Sequence, residues 1–259
     1  MTTLAAGPRE PAIAAAEDVS VSSDGRAMDA DETAGAPFLA QVWAVARKDL
    51  LLEVRSRERL MSMATFAVLV AVVFSFAVDP AVRARSIGGA MIWVTVLFAG
   101  TLGMGRSWAL EREAEALTGV MLAPIDHGAL FLGKWLANLA IVLAVEALVF
   151  PVFALFFNLG FQGSLTALAA VVVLATVGFM ALGTLFGAIA AHTRLGETLL
   201  PILLLPLLAP VVIFACAATQ RLLVGRPVAD VVSQLKMLGA FDLVFLFVCT
   251  AVFGAVLEE

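Results

Sequence analysis

The chain has 259 residues, 62% of them hydrophobic and 14% charged, with a mean hydropathy of +1.02. Soluble domains carry about 45–50% apolar and about 25% charged residues, so this surplus of apolar surface needs a bilayer rather than a larger core. The net charge of −5 belongs to residues 1–37, where seven acids face two arginines and the rest of the chain balances, which argues against a nucleic-acid-binding surface.

Residues 1–37 are rich in Ala, Gly, Pro, Ser and Asp, without periodicity, and are expected to form a disordered acidic tail. No basic segment precedes an apolar one there, so the first span is expected to act as its own uncleaved insertion signal. In Phe38–Val54, Leu39, Val42, Trp43, Ala46 and Leu50 recur with helical spacing. Arg47, Lys48 and Arg55 lie off that stripe. The pattern predicts an amphipathic interfacial helix over 38–54, with Trp43 toward lipid and basic groups toward phosphates. A soluble cap packed on the bundle is the alternative.

Six apolar runs then reach the roughly 20 residues needed to cross a bilayer: Leu60–Val78, Ile87–Arg106, Leu130–Phe157, Leu165–Ala191, Leu199–Ala218 and Phe241–Leu257. The third is long enough to begin in the interface and tilt. Pro201, Pro206 and Pro210 predict a kinked fifth span. With both termini in the cytoplasm, nine Lys and Arg fall on the inner side and five on the outer, which favours that orientation.

Between the second and third runs, residues 108–128 form a distinct polar segment. Leu110, Ala114, Leu117 and Met121 share a helical face with Val120 beside it, and Glu111, Arg112, Glu113 and Glu115 are its polar neighbours. Pro124 ends the pattern, because the residue before a proline is driven out of helical geometry. A short acidic amphipathic helix on the inner side suits docking into a soluble partner's groove better than lying on anionic lipid. Near the outer side, Val228, Val231, Val232, Leu235 and Leu238 predict a separate interfacial or re-entrant helix before the sixth span.

Several motifs invite over-reading. Gly128 to Lys134 spells GxxxxGK, but Trp135 stands where a P-loop needs Ser or Thr, and no strand precedes it. Lys134 and Trp135 are expected instead as snorkelling and aromatic anchors at the interface. His127 and His192 fall at the inner boundary in different loops, where solvated or capping roles outweigh haem ligation. Cys216 and Cys249 lie in apolar runs without ligand spacing and are expected as small buried hydrophobes. Glu146 sits inside the third span, where an ionisable group faces the bundle interior: in a substrate path or gate, or as a protonated acid bonded to a neighbouring helix. Gly183, Gly187 and Ala191 form a small-residue stripe for close helix packing. No nucleophile–base pair or metal cluster is present, so an enzyme is not expected.

Taken together, Arg47-Lys48-Asp49-Leu50 through Arg55, Ile92-Trp93-Val94, Glu111-Arg112-Glu113 continuing to Leu117 and Val120-Met121-Leu122-Ala123-Pro124, Gly133-Lys134, and the proline-spaced run Leu200 to Pro210 resemble the cytochrome c maturation B family of haem exporter permeases. The resemblance covers about residues 38–257 and leaves the acidic tail outside. It implies an all-α integral membrane protein of ABC-2-type permease fold, with one six-helix permease domain over 38–259 and both termini cytoplasmic. It implies a homodimer in the bacterial inner membrane that works with a separate ATPase, cytochrome c maturation A, the C and D subunits and the haem chaperone E. Glu111, Arg112, Glu113, Glu115, Leu117, Val120, Met121 and Pro124 would form the ATPase-coupling segment, Glu146 being the candidate intramembrane functional residue. No cofactor is expected to bind firmly; haem would be the handled species and ATP would act through the partner. A permease for another cargo (glycan, lipid or drug), or a non-transporting platform for the maturation complex, are the competing expectations.

Overall fold

A computed structural model of the chain describes residues 37–79, 86–113, 125–159, 162–191 and 196–257. The acidic tail before them lies outside these residues. Helix α1 spans Phe38–Ser56 and ends on Arg57, whose φ of 55° puts it in the left-handed region. That region costs a non-glycine residue about 1–2 kcal/mol. The turn is secured locally, since the Arg57 N–H donates to the Glu53 carbonyl at 2.7 Å. Helix α2, Glu58–Ala77, begins at the next residue, so the junction between the amphipathic helix and the first span is a one-residue elbow.

Helix α3 spans Gly88–Glu113, α4 His127–Phe157, α5 Leu165–Ala191 and α6 Gly196–Leu223. A single 3-10 turn, Val228–Val231, then leads into α7, Val232–Leu257. Among the described residues, six helices are long and apolar enough to cross a membrane, and none of these residues forms a strand. The chain is therefore an all-α membrane protein.

Three boundaries differ from the sequence expectation. The segment around Val228 is not a separate interfacial helix: its 3-10 turn runs directly into α7, and no Gly or Pro interrupts Val228–Leu238. The sixth span is consequently long, Val228–Val256, rather than starting at Phe241. Helix α3 also continues past the apolar run that ends at Gly105, carrying Arg106–Glu113 in the same helix. At 1.5 Å per residue these residues project about 12 Å beyond the span. Helix α4 has 31 residues, about 46 Å, well over a hydrocarbon core of about 30 Å.

The assigned helix α6 runs through Pro201, Pro206 and Pro210. Each proline removes one intrahelical donor, leaving the carbonyls of Glu197, Ile202 and Pro206 without their usual partners. Helix α5 occupies the centre and packs on α3, α4, α6 and α7. Glycine contributes to that closeness: a Cβ on Gly100 would come within 2.4 Å of the Phe179 ring on α5. The core around α5 includes Ile92, Met104, Phe131, Phe153, Met180, Leu204, Leu208 and Phe253.

Candidate functional site

Three buried charges, Glu53, Arg59 and Lys134, gather where α1 meets the bundle. Arg59, on the first turn of α2, is 5% exposed and Glu53, on the last turns of α1, is 7% exposed. Arg59 Nε donates to Glu53 Oε2 at 3.1 Å, and Arg59 Nη1 donates to Asn138 Oδ1 on α4 at 2.9 Å. Asn138 Nδ2 donates in turn to Thr184 Oγ1 on α5 at 3.1 Å. Glu53 Oε1 also accepts the Leu60 backbone N–H at 2.9 Å, satisfying an orphan donor at the start of α2. One chain of polar contacts thus links α1, α2, α4 and the central helix α5.

Gly133 makes this docking feasible. A Cβ there would lie 2.6 Å from Val45 Cβ and 2.8 Å from the Val42 carbonyl, so only glycine lets the α1 backbone come so close. Beside it, Lys134 Nζ stands 3.5 Å from Asp49 Oδ2, and Lys48 Nζ stands 3.2 Å from Asp49 Oδ1. Asp126 caps α4, its Oδ1 accepting from the Gly128 and Ala129 amides, while its own N–H donates to Gln41 Oε1 of α1 at 3.1 Å.

These contacts correct two expectations. Lys134 is not a snorkelling anchor: it is buried and paired with Asp49, because α1 covers the position where its head would reach water. Trp135 is half-buried and donates from Nε1 to the Val177 carbonyl of α5 at 3.2 Å, so it ties two helices together. Helix α1 turns a mixed face inward. Val45, Ala46 and Glu53 are buried, whereas Leu39 and Trp43 are 77% and 60% exposed. Carboxylates point inward to meet cations, and much of the apolar surface points outward.

Deeper in the bundle, Glu146 is 1% exposed on α4. Thr176 Oγ1 of α5 lies 2.8 Å from each of its oxygens and also contacts the Val172 carbonyl at 2.7 Å. A second acid escaped the sequence reading. Asp242 is 7% exposed, and a Cβ on Gly178 of α5 would come within 2.6 Å of its Oδ1. Neither Asp242 oxygen finds a hydrogen-bond partner among the described residues. Thr176 and Gly178 are about 3 Å apart along the helix axis, so α5 meets an acid from α4 and another from α7 at nearly one depth. The sequence hid Asp242 because a span beginning at Phe241 would put it at the boundary. In Val228–Val256 it is the middle residue.

Of the proposed coupling residues, Glu111, Arg112 and Glu113 lie on helix α3. Contacts of Gly103 with Met63 and of Gly183 with Met104 put that end of α3 on the α1 side of the bundle. Glu115, Leu117, Val120, Met121 and Pro124 lie outside the described residues, as does His192. His127 begins α4 and faces Gly254 of α7.

A family model described as CcmB protein matches residues 40–259. The chain is 30% identical over 188 residues to heme exporter protein B of Bradyrhizobium diazoefficiens, covering 70% of this chain and 82% of that protein. It is 30% identical over 201 residues to heme exporter protein B of Paracoccus denitrificans, covering 77% and 90%. With heme exporter protein B of Rhodobacter capsulatus it shares 30% identity over 180 residues, 69% of this chain and 82% of that one.

Proposed function

The chain belongs to the CcmB protein family, and from that premise we propose that it is the membrane-spanning permease subunit of an ABC complex that handles haem for c-type cytochrome assembly. The observation that carries this reading is the match over residues 40–259, together with relatives named for haem export. ATP hydrolysis belongs to a separate subunit, the cytochrome c maturation A ATPase, and this chain pairs as a homodimer beneath two copies of it. The C and D subunits and the haem chaperone E complete the assembly, in the bacterial inner membrane with both termini of this chain cytoplasmic.

The geometry supports a route for coupling. Glu111–Glu113 lie on a helix that extends beyond its span, on the side of the bundle where α1 is docked. A force applied there by an ATPase travels along α3, which packs on α2, α5 and α6. Glu115, Leu117, Val120, Met121 and Pro124 continue this coupling segment. Helix α1 lies in the interface, its exposed Trp43, Leu51 and Val54 toward lipid. Glu146 sits on the inward face of α4, touching the central helix, and answers movement of α5 directly.

The test is affinity purification of the full chain from its native membrane, followed by mass spectrometry. A small ABC ATPase recovered with haem-handling subunits is the expected result. An ATPase recovered with glycan or lipid enzymes would reassign the cargo, and absence of any ATPase from otherwise intact complexes would overturn the reading.

A further inference from the structure

At the end of the bundle opposite α1, the last turn of α6, the loop after it and the 3-10 turn enclose an open basin of about 500 Å³ lined by Gln220, Arg221, Val224, Arg226 and Asp230. We propose that this basin is a binding site for the anionic oxygen group, carboxylate or phosphate, of an amphiphilic molecule.

The two guanidiniums are not needed to finish the helix. Gly225, with φ of 76°, donates to the Leu222 carbonyl at 3.1 Å, and Arg226 N donates to the Arg221 carbonyl at 3.0 Å. That pair of bonds is a Schellman motif, which satisfies the terminal carbonyls through the backbone. Cations often follow a helix C-terminus to oppose its partial negative charge. Here Arg221 turns away from it. Its Nη1 donates to the Asp230 carbonyl at 2.6 Å, pinning the side chain across the basin. A guanidinium has five N–H donors in a planar fork, and this bond, among the described residues, engages one of them.

Arg226 is 66% exposed and stands 3.9 Å from Asp230 Oδ2, the one acid among the described lining residues. An exposed pair at that distance is weak and yields readily to a ligand oxygen in bidentate contact. Val224, 42% exposed, adds an apolar surface beside the cations. The basin adjoins the first turn of α3, where the Gly89 amide donates to Gln220 Oε1 at 2.8 Å. A volume of this order accommodates a headgroup and part of an apolar body. Two guanidiniums, Arg221 pinned and Arg226 exposed, beside the apolar Val224 at a membrane boundary favour an anionic amphiphile over a neutral or cationic one.

Two sources carry that chemistry: an anionic phospholipid, and a porphyrin bearing carboxylates. The anion site stands on the geometry alone; assigning it to cargo rests on the haem-handling reading above. The test uses the full chain in nanodiscs of phosphatidylcholine, titrated with iron protoporphyrin IX and with its dimethyl ester, in wild type, Arg226→Gln and Arg226→Lys. Arg221 is left intact because it also holds Asp230. For a cargo site, the diacid binds, Arg226→Gln weakens it about tenfold (about 1.4 kcal/mol), Arg226→Lys retains part of the affinity and the diester binds weakly to all three. For a lipid site, native mass spectrometry finds phosphatidylglycerol retained by wild type and lost from Arg226→Gln, with the porphyrins indifferent to the substitution. That outcome keeps the anion site and removes its link to cargo. If neither the diacid nor phosphatidylglycerol responds to Arg226→Gln while the variant's melting temperature matches wild type, the proposal is overturned.

Discussion

Arg59 and Glu53 are charges that lipid would reject singly and that the fold accepts as a pair. Removing one partner of a buried pair leaves an uncompensated charge, at a typical cost of about 3–5 kcal/mol. Arg59→Leu is therefore expected to lower the thermal unfolding temperature in nanodiscs sharply, since Glu53 keeps only the Leu60 amide among the bonds described above. The double variant Glu53→Leu/Arg59→Leu should recover much of the loss. Equal losses in both would show that the pair contributes through packing, not charge. Glu146 calls for the opposite substitution, one that preserves shape. Glu146→Gln retains an acceptor for Thr176 and is expected to leave complex assembly intact while lowering the yield of c-type cytochromes. An unchanged yield would return Glu146 to a purely packing role.

Helices α1 and α3 carry their functional argument in their ends. The Arg57 elbow and the contact at Gly133 fix where α1 lies; α3 carries Arg106–Glu113 beyond its apolar run. Reversing charge at Glu111, Glu113 and Glu115 together is expected to abolish co-purification of the ATPase while membrane insertion, read by carbonate extraction, stays normal. Wild-type recovery of the ATPase would remove the docking assignment. The existence of both helices was legible locally, from a 3.6-residue period and from runs of apolar length. Their limits were not. Val228–Leu238 looked like a separate element because Asp230, Gln234 and Lys236 dilute its hydropathy, yet its backbone passes straight into the last span. A polar stretch without a turn signal can continue a helix, whereas hydropathy reports polarity alone.

Across the whole molecule, the bundle has two chemically different ends. One holds α1, Lys134 and the Arg59 cluster; the other holds the Arg221 and Arg226 basin. In a background lacking Cys216 and Cys249, Val224→Cys is expected to react with an impermeant maleimide on intact spheroplasts, and Ser56→Cys only after lysis. The reverse pattern would invert the orientation inferred from Lys and Arg placement. Composition and periodicity were enough to establish an all-α membrane protein with six spans and an amphipathic helix before them, because each of those properties is a sum over neighbours in the chain. The partners of Glu53, Lys134 and Trp135, and the mid-span position of Asp242, came only from tertiary structure. Lys134 reads as an interfacial anchor until α1, about 85 residues earlier, covers it and supplies Asp49. Burial and pairing are set by what another segment brings across the bundle, and that distance is not written in local sequence.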